Sequence, residues 1–361
     1  MEQERMDIRS QTLEELTVLV EELGEKRFRA KQLYQWLHVH RAETFDEMTN
    51  LPKSLIGKLK AHTALTVLRQ EAVQVSAIDG TRKYLFSLPD GNLIESVLMR
   101  YQHGNSVCIS SQAGCRMGCR FCASAIGGLV RGLTPAEMAE QVYRIGRETG
   151  ERISNIVVMG TGEPLDNYEN LLRFLTMMTD ENGLHISQRN ITVSTCGIVP
   201  RIRQLADEKL QITLAISLHA SNQKTRRELM PVAEKYDIPE LLDACRYYFR
   251  QTGRRVTFEY SLVAGVNDSD AGAEELAKLL LGMNCHVNLI PVNPVKERNY
   301  RQPDRRRVHD FKNKLEKYGI NVTIRREMGR DIDGACGQLR KRYMGSVDPG
   351  LHEDETDGGL G

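Results

Sequence analysis

The stretch Cys115-Arg-Met-Gly-Cys119-Arg-Phe-Cys122 brings three cysteines together in one short segment. Thiolates are soft ligands that suit iron–sulfur clusters, zinc and copper(I). A cubane cluster has four irons, so three thiolates on one loop leave one iron open for a substrate or cofactor. A structural zinc site takes four ligands, often in two Cys-x-x-Cys pairs, and the chain has no second pair. The stretch therefore predicts a [4Fe-4S] cluster with an open iron, and a zinc site is the alternative.

The composition is that of a globular protein. The 361 residues are 40% hydrophobic and 27% charged, and no apolar run is long enough to span a bilayer. The start, Met1-Glu-Gln-Glu-Arg, does not resemble a secretory signal, so we expect a cytoplasmic protein that does not bind membranes. Thiols stay reduced in the cytoplasm, so the eight cysteines indicate metal binding or catalysis rather than a disulfide framework.

From about Ser106 onward, short apolar strands alternate with helix-like stretches. Strands are predicted at residues 106–110, 153–159, 190–194, 212–217, 256–261, 287–291 and 322–325. Helices are predicted between them at 134–149, 168–179, 238–251, 271–283 and 305–318. This alternation predicts an α/β fold with a parallel sheet, arranged as a full or partial βα barrel.

Motifs whose side chains suit catalysis or cofactor binding follow these strands in order. The cysteine stretch follows the first strand, and Gly160-Thr-Gly162-Glu163-Pro164 follows the second. The third, fourth and sixth strands are followed by Ser194-Thr-Cys-Gly197, Ser217-Leu-His219 and Asn293-Pro294. In βα barrels the loops after the strand C-termini form the active site, so these motifs are predicted to meet in one place.

The residues before the barrel follow other patterns. Apolar residues from Leu13 to Leu23 recur at helical spacing, and turn sequences at 79–80 and 89–91 separate three strand-like segments. We expect a small N-terminal helical domain at 1–70, an antiparallel β-meander connector at 71–100, the barrel at 101–342, and a disordered acidic, glycine-rich tail at 343–361.

The cysteine stretch, with Phe121 before its last cysteine, resembles the signature of the radical S-adenosylmethionine (SAM) superfamily. The resemblance implies that Cys115, Cys119 and Cys122 hold one [4Fe-4S] cluster, whose open iron binds the amino and carboxylate groups of SAM. Gly162-Glu163-Pro164 resembles the loop that holds the methionine amino group in that superfamily.

A narrower resemblance covers nearly the whole chain. Five separated motifs are similar to those of the RlmN-type adenine-C2 RNA methyltransferases, relatives of the C8-methylating enzyme Cfr: Glu95-Ser-Val, Cys108-Ile-Ser-Ser-Gln112-x-Gly-Cys115, Met159-Gly-x-Gly-Glu163-Pro-Leu, Ser217-Leu-His219 and Asp331-Ile-Asp333-x-Ala-Cys336-Gly-Gln-Leu339. This family likeness implies a radical SAM partial (β/α)6 barrel. It also implies a methyl-carrying thiol at Cys336, a resolving thiol at Cys108 that pairs with it in a transient disulfide, and a proton acceptor at Glu95. The implied SAM contacts are Gly162, Glu163, Ser194, Ser217, Leu218, His219 and Asn293.

Chemistry gives a reason for two further thiols. Adenine C2 is not nucleophilic and cannot attack the methyl group of SAM, whereas a cysteine thiolate can. A 5′-deoxyadenosyl radical from a second SAM can then activate the S-methyl group for addition to C2, and a second thiol can release the product by forming a disulfide. This route consumes two SAM per turnover. His219 could instead shuttle a proton, although we favour a ligand contact.

The resemblance also implies partners. These are 23S ribosomal RNA near the peptidyl transferase centre, tRNA at the adenosine 3′ to the anticodon, and a one-electron reductant such as flavodoxin or ferredoxin; we expect a monomer. The N-terminal helical domain and the basic residues 296–307 are candidates for RNA contact. Three alternatives stay open: C8 methylation, a radical SAM enzyme that does not methylate, and a non-enzymatic iron–sulfur or zinc RNA-binding module. Pro164 favours C2, because Cfr-type proteins have alanine there.

Overall fold

The computed structural model of the chain describes residues 5–102, 104–292, 300–332, 339–340 and 342–343. Its first part is a helical unit whose helices pack around buried leucines such as Leu16, Leu33 and Leu55. The unit contains β1 (Met6–Asp7), α1 (Leu13–Glu22), α2 (Phe28–His38), α3 (Lys53–His62) and β2 (Thr63–Ala64). Strands β1 and β2 pair in parallel and so hold the two ends of this unit together.

The remaining described residues form a ten-stranded sheet with helices and one two-stranded ribbon. The elements are β3 (Arg69–Val75), β4 (Arg82–Ser87), β5 (Leu93–Tyr101), β6 (Gly104–Cys108), β7 (Gln112–Gly114), β8 (Leu129–Gly132), α4 (Pro135–Thr149), β9 (Ile153–Val158), α5 (Tyr168–Thr179), β10 (Ile191–Thr195), α6 (Val199–Asp207), β11 (Thr213–Ser217), α7 (Gln223–Leu229), α8 (Ile238–Thr252), β12 (Val256–Leu262), α9 (Asp270–Leu280), β13 (Cys285–Pro291), α10 (Arg305–Lys317) and β14 (Asn321–Ile324).

The strand order of the sheet is β14-β13-β12-β11-β10-β9-β6-β5-β4-β3. Every pairing from β6 to β14 is parallel, and helices separate these strands along the chain. The result is six βα units followed by a last strand, which confirms the predicted α/β fold with a partial (β/α)6 barrel. The predicted meander is β3–β5, and it continues the barrel sheet because β5 pairs antiparallel with β6.

Four elements near the site were not predicted from the sequence. Helix α6 is short, and α7 reads Gln-Lys-Thr-Arg-Arg-Glu-Leu, which has too few apolar residues to show a helical period. Strands β7 and β8 form an antiparallel ribbon of three and four residues, too short for a clear alternation. All four depend on tertiary packing rather than on local pattern.

The N-terminal unit is joined to α4 by buried polar contacts. Arg9 is fully buried and pairs with Glu140, which also pairs with Arg147. His38 Nδ1 lies 2.8 Å from the hydroxyl oxygen of Tyr143. Burying these charges without partners would be costly, so the contacts hold the unit in one orientation on the barrel. In the described part of the chain, no helix has both the length and the apolar character needed to cross a bilayer.

Candidate active site

The cysteine loop runs from the end of β7 to the start of β8, and the ribbon of β7 and β8 holds its two ends. The Cys115 amide donates to Gly128 O (2.9 Å), and the Cys122 amide donates to Cys119 O (3.1 Å). Gly114 has φ of +81°, and a Cβ there would lie 2.1 Å from Gly128 O. Only glycine fits this position, so the ribbon places the first cysteine with little freedom.

Helix α7 and its following turn support the loop from behind. The Arg120 amide donates to Leu229 O (2.9 Å), and Met117, Cys119 and Phe121 pack against an apolar cluster that includes Met230. The Phe121 ring meets the His219 ring edge to face, with centroids 4.9 Å apart. The aromatic residue of the motif therefore links the cysteine loop to the loop after β11.

The three thiols fit an iron–sulfur cluster by their chemistry. All three are free, and burial raises the pKa of the Cys115 thiol to about 12 and also raises the pKa of Cys119. A metal must therefore displace their protons on binding. Within the described residues, no three His, Cys, Asp or Glu side chains converge as ligands of a single ion. In a cubane each thiolate binds a different iron, so convergence on one point is not required.

The Gly162-Glu163-Pro164 loop packs directly on Gln112 in β7. Gly162 has φ of +113°, and a Cβ on it would lie 2.7 Å from Gln112 Cβ. The Glu163 amide donates to Gln112 Oε1 (2.8 Å), and Gln112 Nε2 donates to Asp166 Oδ2 (3.1 Å). Gln112 was present in the quoted motifs but had no predicted role; the structure shows that it joins the cysteine ribbon to the proposed SAM loop.

The Glu163 carboxylate joins the loops after β9 and β10. Its Oε1 accepts from the Leu165 amide (3.0 Å) and its Oε2 from the Cys196 amide (2.7 Å). The side chain is buried, and burial raises its pKa. The Thr195 and Cys196 side chains also hydrogen-bond to this carboxylate, so most of its roughly four acceptor sites are in use.

The remaining predicted SAM contacts that the structure describes lie at the ends of β10 and β11. Ser194 pairs with Ala215, and Ser217 pairs with Glu259, so both serines lie near the C-terminal edge of the sheet. Leu218 is fully buried. His219 has φ of +55°, and its Nδ1 accepts from the Ser261 amide (2.9 Å).

The environment of His219 favours ligand contact over proton transfer. Because a backbone amide can only donate, Nδ1 carries no proton and the neutral ring has its proton on Nε2. Burial, and secondarily the charge of Arg226, lowers the pKa of His219 to about 3. The imidazole is therefore neutral at physiological pH and offers one N–H donor.

Glu95 and Cys108 lie on neighbouring strands of the sheet. Val97 pairs with Cys108 on one side and with Lys83 on the other, so these three residues form a row on one face. Glu95 lies two positions from Val97 on the same face, and its Oε2 is 3.0 Å from Lys83 Nζ. Both side chains are buried. Lys83 was missed from the sequence, because a lone lysine in a strand is usually exposed.

The described residues also show what surrounds the C-terminal motif. The Arg340 amide donates to Glu95 Oε1 (2.6 Å), and the Asp331 carboxylate accepts from Ser76 Oγ (2.6 Å) and from the Ala77 amide (2.7 Å). The proposed methyl carrier Cys336 and the proposed SAM contact Asn293 lie outside the described residues.

Comparison with known proteins agrees with this geometry. The profile of the Radical SAM superfamily matches residues 109–280, and that of the Ribosomal RNA large subunit methyltransferase N-terminal domain matches residues 6–65. A "Probable dual-specificity RNA methyltransferase RlmN" of Lachnospira eligens is 62% identical, with 98% of this chain and 99% of that protein covered. The chain belongs to the RlmN family of radical SAM methyltransferases.

Two further relatives support the family assignment. A protein of Clostridium novyi with the same name is 56% identical over 92% of this chain and 97% of its own length. The crystal structure of a radical SAM methyltransferase from Sphaerobacter thermophilus has a TM-score of 0.88 and 46% identity, with 92% of this chain and 98% of that chain covered. Family membership makes the chain a radical SAM RNA methyltransferase, implies a [4Fe-4S] cluster and SAM, and removes the non-enzymatic alternatives.

Proposed function

We propose that the enzyme methylates C2 of an adenosine in 23S ribosomal RNA and of the adenosine 3′ to the anticodon in tRNA, through an S-methyl group on Cys336. The observation that carries the proposal is the placement of Cys108 and Glu95 on one face of adjacent strands. A radical SAM enzyme that only makes a radical needs neither group. A methyltransferase that must deprotonate a ring carbon and cleave a carbon–sulfur bond needs both.

SAM binds in this proposal between the loops described above. Cys115, Cys119 and Cys122 hold the cluster, and Glu163 receives the methionine ammonium at the end of β9. The other contacts are Gly162, Ser194, Ser217, Leu218, His219 and Asn293. Bound SAM supplies the methyl group and, after one-electron reduction through the cluster by flavodoxin or ferredoxin, the 5′-deoxyadenosyl radical. Two SAM are consumed in each turnover.

Cys336 takes the methyl group first. Its thiolate attacks the methyl carbon of one SAM, and S-adenosylhomocysteine leaves. The radical that the second bound SAM would supply would remove one hydrogen atom from the S-methyl group on Cys336, and the carbon left there would then bond to C2. Glu95, whose Oε2 lies 3.0 Å from Lys83 Nζ, accepts the C2 proton. The cluster that Cys115, Cys119 and Cys122 would hold would take up the electron released when the ring regains its aromaticity.

Cys108 releases the product. Its thiolate attacks the Cys336 sulfur, the S–S bond forms and the C–S bond breaks. The departing carbon keeps the electron pair and takes a proton from water, which completes the methyl group. An external thiol reductant then returns the disulfide to two thiols. The target base must be unpaired for C2 to reach the site. We assign RNA contact to the N-terminal domain at residues 1–70 and to residues 296–307, which belong to the barrel at 101–342.

Deuterium labelling tests this route. We expect anaerobic reaction with SAM that carries a CD₃ group to yield 5′-deoxyadenosine with one deuterium and methyladenosine with two. Cys336→Ala should give neither product, and Cys108→Ala should trap protein bonded to RNA. Cys285→Ala, at the start of β13, serves as the matched control and should react like the wild type. Methyladenosine that keeps all three deuterium atoms would mean direct methyl transfer and would overturn the proposal.

A further inference from the structure

Arg226 is a buried cation that no carboxylate neutralises among the described residues. It lies on α7 and is fully buried. Its Nη2 donates to Cys196 O (2.8 Å) and its Nη1 to Tyr236 O (3.3 Å), while its Nε is buried without a hydrogen-bond partner. A guanidinium held only by carbonyl oxygens keeps its full charge in a poorly solvated place.

The ionisable neighbours of this cation are cysteines, which can compensate its charge only as thiolates. Burial lowers the pKa of Arg226, and the neighbours that oppose this are Cys196, Cys119 and Cys245. Cys119 is a proposed cluster ligand. Leu229, one turn after Arg226 on α7, accepts from the Arg120 amide in the cysteine loop (2.9 Å). Helix α7, which carries Arg226, therefore lies against the cysteine loop.

The absence of a side chain at Gly197 leaves space for the Arg226 guanidinium. Gly197 has φ of +106°, and a Cβ there would lie 3.1 Å from Arg226 Nη2 and 3.0 Å from Leu241 Cδ1. Cys196, the residue before it, donates its amide to Glu163 and accepts from Arg226 at its carbonyl. Glu163 and Arg226 thus bind the amide and the carbonyl of the same residue, Cys196.

We infer that Arg226 is a positioning residue that supplies the counter-charge of the [4Fe-4S] cluster and favours its reduced state. A cubane with three thiolates carries net negative charge, which grows by one unit on reduction, and nearby charge is one of the determinants of cluster potential. The inference rests on the cluster that the family implies, and it is independent of the base or the position that is methylated.

The test compares three variants of the anaerobically reconstituted full chain. Arg226→Met removes the charge, Arg226→Lys keeps it, and Arg227→Met removes an exposed arginine of the same helix that lies 3.7 Å from Glu234. Iron content and redox titration followed by electron paramagnetic resonance give the cluster potential. We expect a lower potential for Arg226→Met, partial recovery for Arg226→Lys and no change for Arg227→Met. An iron-replete Arg226→Met protein with the wild-type potential would overturn the inference.

Thermal unfolding of the iron-free proteins decides the case in which Arg226→Met does not retain a cluster. If Arg226 serves the cluster, the iron-free variant should unfold at a temperature no lower than the iron-free wild type, since an uncompensated buried charge has been removed. An iron-free variant that is much less stable than the iron-free wild type would show that Arg226 serves the fold, and the inference would be wrong.

Discussion

Lys83 Nζ lies 3.0 Å from Glu95 Oε2, in a pair whose side chains are 0% and 4% exposed. The pair is next to Cys108 on the same face of the sheet, and Arg340, another cation, has its charge close to Glu95. A buried carboxylate that is paired with a cation is less costly to the fold than one without a partner. The family resemblance pointed to Glu95, and the structure adds its buried partner, Lys83.

Removal of Lys83 should therefore affect both stability and catalysis. We expect Lys83→Met to lower the free energy of unfolding by about 3–5 kcal/mol, because it removes one partner of a buried ion pair. The double variant Lys83→Met/Glu95→Leu should recover much of this loss, yet it should not methylate RNA. Urea titration measures the stability. Equal stability of the single and double variants would contradict a coupled pair.

Gly162→Ala should disrupt SAM binding. The new Cβ would lie 2.7 Å from Gln112 Cβ, and the alanine would have to adopt a φ of +113°. We expect SAM affinity to fall by at least about tenfold, as measured by calorimetry. Gly253 at the end of α8 also has a positive φ, +68°, but nothing lies within 4 Å of its Cβ position. Gly253→Ala should cost about 1 kcal/mol of stability and leave SAM affinity unchanged, and equal SAM affinities in both variants would refute the packing role of Gly162.

Stability should fall in mild acid because of buried histidines. Burial lowers the pKa of His38, and that of His219, from 6.5 to about 3. A lowered pKa means that the folded state favours the neutral ring, so the stabilisation is complete above the ordinary pKa and is lost as the pH falls towards the lowered one. Each histidine should contribute a slope of about 1.4 kcal/mol per pH unit. Urea unfolding at a series of pH values should show a shallower slope for His38→Gln, and identical slopes would disprove the assignment.

RNA affinity should depend on the exposed arginines at the start of α10. Arg305 and Arg306 are exposed, whereas Arg307 lies 2.8 Å from Asp270. Arg305→Gln/Arg306→Gln should reduce the slope of log K against log salt by about 2, since each lost phosphate contact removes about one unit. Arg307→Gln should change it less. A salt slope that the double variant leaves unchanged would exclude this surface.

The sequence pattern predicted the βα order and the strand ends, because the spacing of apolar residues and the presence of turn residues are local properties. Gly162, Glu163 and His219 follow their strands, whereas Ser194 lies inside β10 and Ser217 is the last residue of β11. The roles of Lys83, Gln112 and Arg226 were not predictable, since each depends on a partner distant in sequence: Glu95, Glu163 and Cys196. A charged residue in a sequence is normally solvated, and only tertiary packing shows the exceptions.

Nucleoside mass spectrometry of the reacted RNA tests the central claim most directly. The enzyme, anaerobically reconstituted and supplied with SAM and a one-electron reductant, should convert one adenosine of 23S ribosomal RNA to 2-methyladenosine. The same product should appear next to the anticodon of tRNA. The appearance of 8-methyladenosine instead, or of no methyladenosine while SAM is still cleaved to 5′-deoxyadenosine, would contradict the account.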